Sequence, residues 1–538
     1  MQPASTRRVR RRRANAGTRR IVAGGAALIA AVLLETPARA EPMPNAGRLD
    51  ACSDCYLDRA GQVRQASADY EALTAEHDPA YFRAALEELL FLGVGTAYYW
   101  LYRERNVADW DDPSLRARLS GDAWRYDNNA LPVNYLLHPA TGMGAYMLAR
   151  GNRIGVPASF AYSFAASFAW EWGVEFREKV SLNDTLVTPG AGLAFGEFFH
   201  KLGRYLDSTP NPGAMRSALQ WSPIGLSVRA HRALDGLPVT ADRPRDSLGM
   251  SSDIWHAFEF GYRAAASRTA GHRSYPVHGY FFAGRLVSIP GYLRAGSFDR
   301  FFSRADLTAL ELYTEHSSRG VGLTVVADTV LLGQHWQRIT SLGRSARQGW
   351  AVTLGTSVGA SYHRSKANGF DEQLGALHLP GLAADWHGLT SDFTVGVHAR
   401  LNPDFVGAGA TAYSDWEADN PDEMGKSILR KQGYFHGWGG SARVGAEVAY
   451  GPVALSGSAF YGQYWSQQGL DRAPDLVTAD VRARAHQLRA SGALLVTPPG
   501  VPAGIGIEIS TRRQGSTVEN HSRREAADAV GGLLKGRF

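Results

Sequence analysis

Trp350-Ala351-Val352-Thr353-Leu354-Gly355-Thr356-Ser357-Val358-Gly359-Ala360-Ser361-Tyr362-His363 alternates between two kinds of residue without a break. Trp350, Val352, Leu354, Thr356, Val358, Ala360 and Tyr362 form a mainly apolar set with an aromatic at each limit. Ala351, Thr353, Gly355, Ser357, Gly359, Ser361 and His363 form a small, mostly polar set. Successive side chains of a strand point to opposite faces. The stretch therefore predicts a strand with one apolar, aromatic-bounded face and one polar face. Transmembrane barrel strands have that pattern, with lipid on one side and a lumen on the other.

The pattern recurs downstream. Ala442, Val444, Ala446, Val448 and Tyr450 alternate with Arg443, Gly445 and Glu447. Gly451-Pro452 turns the chain, and Val453, Leu455, Gly457, Ala459 and Tyr461 lead back, which reads as a tight hairpin. Similar strands are expected near 253–265, 276–288, 320–338, 382–402, 404–418, 477–496 and 502–514, with a last strand running to Phe538. That terminal aromatic, preceded by Gly536, Leu534, Gly532 and Val530, is similar to the recognition signal of outer-membrane barrels. About a dozen strands fit an even-numbered closed sheet. Closure matters because an open edge in lipid leaves backbone groups unsatisfied. The competing reading is a soluble sandwich, against which stand the Trp and Tyr that flank the apolar faces.

Upstream of this half the period changes. The fold class expected is α+β: a helical module at 79–206 followed by an antiparallel transmembrane β-barrel at 214–538. Asp207-Ser-Thr-Pro-Asn-Pro-Gly213 is the breaker between them. Residues 41–78 read as a polar N-terminal extension. Residues 1–40 read as a cleaved signal peptide, with an Arg-rich start, a short apolar run from Ile21 to Leu34 and Ala38-Arg39-Ala40 as the cleavage site. The formal charge of +6 over 538 residues disappears with them. Setting aside nine Arg and Glu35 leaves 48 basic and 50 acidic residues, so charge gives no reason to expect a nucleic acid. The two cysteines, Cys52 and Cys55, read as a local disulfide or as idle thiols in an oxidising compartment.

Within the module, Ala84–Tyr102 is a mostly apolar run carrying Glu87 and Glu88, either a membrane-surface helix or one packed on partners. Further helices are expected from Pro139 to Arg150, from Pro157 to about Glu178, and from Pro189, capped by Thr188, to about Tyr205. In the Pro157 helix, Phe160, Phe164, Phe168, Trp172 and Phe176 recur every fourth residue, and so do Ser163, Ser167, Glu171 and Glu175. Residues four apart share a face. The two carboxylates then lie near a helix C-terminus, where the macrodipole disfavours them and burial demands partners. The last helix offers Glu197-Phe-Phe-His200, and Gly192-x-x-x-Gly196 as a bare stripe for close approach.

Asn134-Tyr135-x-x-His138-Pro139, Gly142, Tyr146, Ser167-x-x-Trp170-Glu171-x-x-x-Glu175, Ser181-x-x-Asp184-x-x-x-Thr188-Pro189, Gly192 and Gly196-Glu197 follow one another in order. On these blocks the segment of about 124–200 resembles the bacterial domain of unknown function 3943 family. Val180 departs from the Pro that the family commonly has there. The resemblance implies a helical module in exported envelope proteins and no chemistry.

His138, Glu171, Glu175, Asp184, Glu197 and His200 are the candidate site residues. Glu171, Glu175, Glu197 and His200 are the candidate metal ligands, since Glu-x-x-His beside a Glu-bearing helix is half of a di-iron carboxylate arrangement. A complete one needs two such motifs, and the module has one. His138 or His200 as a general base is the hydrolytic alternative, although the module itself holds no Gly-x-Ser-x-Gly elbow. A buried polar network that pins the helices is the plainer reading. No cofactor is expected, and the residue types leave room for a divalent metal.

The leading expectation is a non-enzymatic outer-membrane barrel, partly filled or capped by the module, with a structural or transport role. The alternatives are a membrane-embedded enzyme, metal-dependent or hydrolytic, acting on lipid or cell-wall material at the Glu/His cluster, and a binding module. The partners expected are outer-membrane lipid and the barrel-assembly machinery, and no nucleic acid.

Overall fold

The computed structural model describes residues 52–74, 78–103, 111–209, 213–237, 245–341, 347–367 and 370–538. The expected signal peptide lies outside them. Twelve antiparallel strands form a closed ring: β5 (Trp255–Thr269), β6 (Tyr275–Val287), β8 (Leu307–Ser317), β9 (Gly320–Ser341), β10 (Arg347–Ala367), β11 (Phe370–Leu389), β12 (Phe393–Gly409), β13 (Tyr434–Tyr450), β14 (Val453–Ser466), β15 (Ala483–Val496), β16 (Ala503–Val518) and β17 (His521–Arg537). The ring closes where β17 pairs with β5, and Phe258 and Phe538 exchange both backbone hydrogen bonds there.

The alternation read from Trp350 onward sets the two faces. Ile505, Ile507, Ile509 and Val530 are exposed on the outside of the ring. The opposite parity carries charges that pair across the interior. Arg512 on β16 reaches Glu315 on β8 at 2.9 Å, Arg489 on β15 reaches Glu372 on β11 at 2.6 Å, and Arg400 on β12 reaches Asp328 on β9 at 2.7 Å. None of these strand pairs are neighbours in the ring.

Two predicted strands are displaced. The stretch 382–402 contains the turn at Thr390–Asp392, so it is the end of one strand and the start of the next. The stretch 404–418 runs out of β12 into a short helix, Tyr413–Asp419, whose Tyr413 and Trp416 are buried against inward residues such as Leu374, Val406 and Phe435. Apolar alternation does not distinguish a strand from a strand followed by an inserted turn or plug.

The expected extension is structured where it is described. Cys52 and Cys55 form a disulfide, β1 (Cys55–Leu57) and β2 (Val63–Gln65) make a hairpin, and within the module β3 (Trp124–Arg125) pairs with β4 (Val180–Ser181). This hairpin pairs with β7 (Gly296–Phe302), which occupies the end of β9 that β8 leaves free. Ahead of the ring, in chain order, the helices among the described residues are α1 (Ala66–Thr74), α2 (Tyr81–Tyr98), α3 (Leu115–Ser120), α4 (His138–Gly151), α5 (Val156–Ala169), α6 (Leu182–Asp207), α7 (Ala214–Gln220) and α8 (Leu226–Leu234).

The module neither fills nor caps the ring; it lies against its outer wall. Ala191, Ala194 and Phe198 of α6 share one core with Phe282, Ala327, Ala360, Leu377 and Phe405. Ala327 is adjacent to inward Asp328, and Ala360 and Tyr362 flank inward Ser361, so these core residues face out. Val358, Ala360 and Tyr362, predicted to meet lipid, are buried beneath the helices, whereas Trp350 and Leu354 of the same face are exposed. The α6 helix begins at Leu182, seven residues before the predicted start. Ser181 is its N-cap, accepting from the Asp184 N–H, and Pro189 sits inside the helix. Local cap chemistry at Ser181 outweighed the Pro signal.

Candidate functional site

The six predicted residues divide between two networks. Three of them, with Glu175 alongside, lie at the N-terminal end of α6. Glu171 sits in a π turn, Trp170–Val174, and accepts from the Ser181 N–H at 2.9 Å. The helix ends at that turn, so Glu175 is not on a shared helical face; its carboxylate accepts instead from the Trp170 indole at 2.9 Å. Asp184 accepts from Asn183 Nδ2 at 2.9 Å, and His138 Nε2 stands 3.7 Å from its Oδ1. Asp127 joins them as a hub, accepting from Asn134 Nδ2 at 2.6 Å and from Asn183 Nδ2 at 3.1 Å. Asn134 also donates to the Tyr434 hydroxyl at 3.0 Å, and His436 Nε2 lies 3.8 Å from Asp127. Tyr434 and His436 are on β13, so this network is the seam between module and barrel.

Burial pushes the Glu171 and Asp184 carboxyls well above the usual carboxylate range, and their acidic neighbours push the same way. Burial pushes Glu175 up to about 8, with Glu178 adding to it. Burial lowers His138. Each of these carboxyls is met by a neutral donor, the Ser181 N–H, the Trp170 indole or the Asn183 amide, rather than by a cation.

Glu197 and His200 belong to the second network, midway along α6. Glu197 is fully buried and accepts from Tyr146 at 2.7 Å, from Arg150 at 2.8 and 3.2 Å, and from Lys201 at 2.5 Å. Arg150 and Lys201 thus bracket this acid with two cations and the Tyr146 hydroxyl completes its shell. Lys201 also donates to the Ala305 carbonyl at 2.7 Å, which ties α6 to the barrel. His200 is buried beside them. The glycine stripe does what the sequence implied: a Cβ at Gly192 would stand 2.5 Å from the Gly142 backbone, so α4 and α6 touch along their main chains.

The four predicted metal ligands are thus separated, Glu171 and Glu175 in one network and Glu197 and His200 in the other. Among the described residues, no three His, Cys, Asp or Glu side chains are grouped as metal ligands.

Sequence reasoning missed Asp127, Asn183, Tyr434 and His436. It also missed a chain on the inward face of β10, β11 and β12. Ser361 Oγ stands 3.1 Å from His378 Nε2, and His378 Nδ1 stands 2.7 Å from Asp404 Oδ1. No short motif announces these three residues, because strand pairing alone brings them together.

Residues 123–223 match the family described as Domain of unknown function (DUF3943). A comparison with curated proteins finds no match. Solved structures similar to this chain include the β-domain of the Bordetella autotransporter BrkA (9% identity, covering 52% of this chain and 99% of that one, TM-score 0.17). An outer membrane channel from Pseudomonas putida F1 is similar at 13% identity, over 53% of this chain and 95% of that one, with TM-score 0.22. OprD of Pseudomonas aeruginosa is similar at 9% identity, over 53% and 95%, with TM-score 0.19. The barrel assignment rests on the strand pairing and not on these scores.

Proposed function

We propose that the protein is a non-enzymatic barrel of the cell outer membrane, with a structural role and a lumen closed to free diffusion. The observation that carries this reading is the set of ion pairs joining non-neighbouring strands across the interior. A solute passing through would have to separate them, and the buried Tyr413 and Trp416 stand further along the same interior. On this reading the polar networks of the module hold helices to the wall. Residues 1–40 would direct export, and Phe538 would serve recognition by the barrel-assembly machinery. The chain terminus would face the periplasm, and the long 410–433 and 467–482 connections, at the opposite end of the ring, would face outward. Planar-bilayer recording tests the closed lumen. The wild-type protein is expected to give no stable conductance steps, and Arg512→Ala/Arg489→Ala is expected to create them. Steady large conductance from the wild type would refute the closed lumen.

The Ser361–His378–Asp404 chain favours a second reading, a membrane-embedded hydrolase, because a base held between a hydroxyl and a carboxylate is the acyl-transfer constellation. All three side chains are buried. A fluorophosphonate probe that labels the protein, with labelling lost in Ser361→Ala, would support it; no labelling of folded protein would remove it.

A further inference from the structure

No helix among the described residues is long and apolar enough to cross a membrane. Yet α2, continued by the π turn Tyr99–Arg103, has an inverted polarity. A water-exposed amphipathic helix turns its charges outward. Here the charges turn inward. Arg83 pairs with Asp235 at 2.7 Å, Glu87 pairs with His231 at 2.8 Å, and Glu88 is buried. Every exposed side chain between Tyr81 and Tyr102 is apolar or aromatic, with Phe82, Leu90, Val94 and Leu101 among the most exposed. Soluble surfaces rarely carry so continuous an apolar patch.

The two ends of this helix are tied to opposite ends of the barrel. Arg83 and Asp235 anchor it beside α8, on the side from which the chain enters β5. Tyr99 donates to Glu178 at 2.6 Å, and Glu178 pairs with Arg472 of the 467–482 connection at 3.0 Å. At about 1.5 Å per residue, Tyr81–Arg103 spans roughly 34 Å, against about 30 Å for a hydrocarbon core. Aromatic rings gather at the far end: Trp100 stacks on Phe176 at 5.7 Å, and Arg177 lies over Trp100 at 6.0 Å. Trp and Tyr at that level are the mark of a membrane interface. Phe164 and Phe168 of α5 extend the same exposed face.

We infer that the outward face of α2, with Phe164 and Phe168, is embedded in the hydrocarbon of the bilayer, so that on this flank lipid meets helices and not the barrel wall. The inference rests on the membrane reading of the barrel, because its apolar face continues the exposed outer face of the strands. Neither class of residue alone would serve: the buried charges bar α2 from inserting by itself, and the module supplies partners for Arg83 and Glu87.

The test uses the full chain in phosphatidylethanolamine–phosphatidylglycerol vesicles, with a nitroxide on Leu90→Cys, Val94→Cys, Ile507→Cys or Lys366→Cys, and with molecular oxygen and a water-soluble nickel chelate as collision probes. Leu90 and Val94 are expected to match Ile507: high oxygen collision and loss of nickel collision. Lys366, on an exposed strand end, is the water control. If Leu90 behaves like Lys366 while Ile507 stays in lipid, the inference is overturned and the barrel reading stands. If Ile507 also behaves like Lys366, the membrane reading itself fails. If Leu90 is shielded from both probes and the protein crosslinks as a dimer, a second copy covers the face and the inference is again overturned.

Discussion

The two flanks of the barrel are written in the same alternating pattern and end up against different solvents. On β16 and β17 the outward positions Ile505, Ile507, Ile509 and Val530 are bare. On β9 to β12 the outward positions Ala327, Ala360, Leu377 and Phe405 are buried under α6 and its neighbours. Small residues at Ala327 and Ala360 let the helix come close, and bulky branched ones on the other side fill a lipid boundary. The teaching of the difference is that an apolar outward residue specifies only the absence of water. What replaces the water is decided by residues far away in the chain.

The sharpest way to break this comparison is Glu197→Ala. It leaves Arg150 and Lys201 buried without their shared carboxylate, and orphaned buried charge costs up to about 5 kcal/mol. Urea unfolding in detergent should show the module released from the wall; an unchanged midpoint would mean that this network does not hold the helices. Phe198→Ala on the covered flank should cost about 3 kcal/mol or more, because a cavity remains between α6 and the wall. Its counterpart on the bare flank, Ile507→Ala, loses only transfer free energy, about 2 kcal/mol, since lipid fills the gap. Equal losses at the two positions would erase the distinction between the flanks. Ser181→Ala removes the N-cap of α6 and should cost about 1 kcal/mol, read as faster hydrogen exchange at Asp184 and Thr185.

The seam at the start of α6 is probed separately by pH. The folded-state values of Glu171, Glu175 and Asp184 are raised, so the folded protein binds more protons than the unfolded chain above the ordinary carboxylate range. Stability then falls as pH rises, and the Glu175 share of the fall ends near pH 8. Glu175→Gln should flatten that slope. A slope unchanged in the variant would show that Glu175 is not the titrating group.

Much of the barrel was legible because side-chain alternation is a property of a single strand. Trp350–His363 and the 442–461 hairpin were read with their faces correct. Neither β7 nor β8 is legible: β7 is seven residues long and pairs with a hairpin from residues 55–65, and β8 mixes Leu307, Ala309 and Tyr313 with Glu311 and Glu315 on one face. The site was legible in part. His138, Glu171 and Asp184 were picked out as buried polar groups needing partners. Their partners Asp127, Asn183 and His436 were not, since His436 is about three hundred residues from the helices it meets. The shared helical face of Glu171 and Glu175 failed because a π turn at Trp170–Val174 breaks the four-residue repeat.

By itself the sequence determined the period of each half, the place where the period changes, and the polarity of each strand face, because these follow from local geometry. Only the tertiary structure decided that the helices lie outside the ring, that the six polar residues divide between two networks, and that Ser361, His378 and Asp404 meet. Those outcomes depend on which surfaces bury each other, and burial is set by the whole chain rather than by any stretch of it.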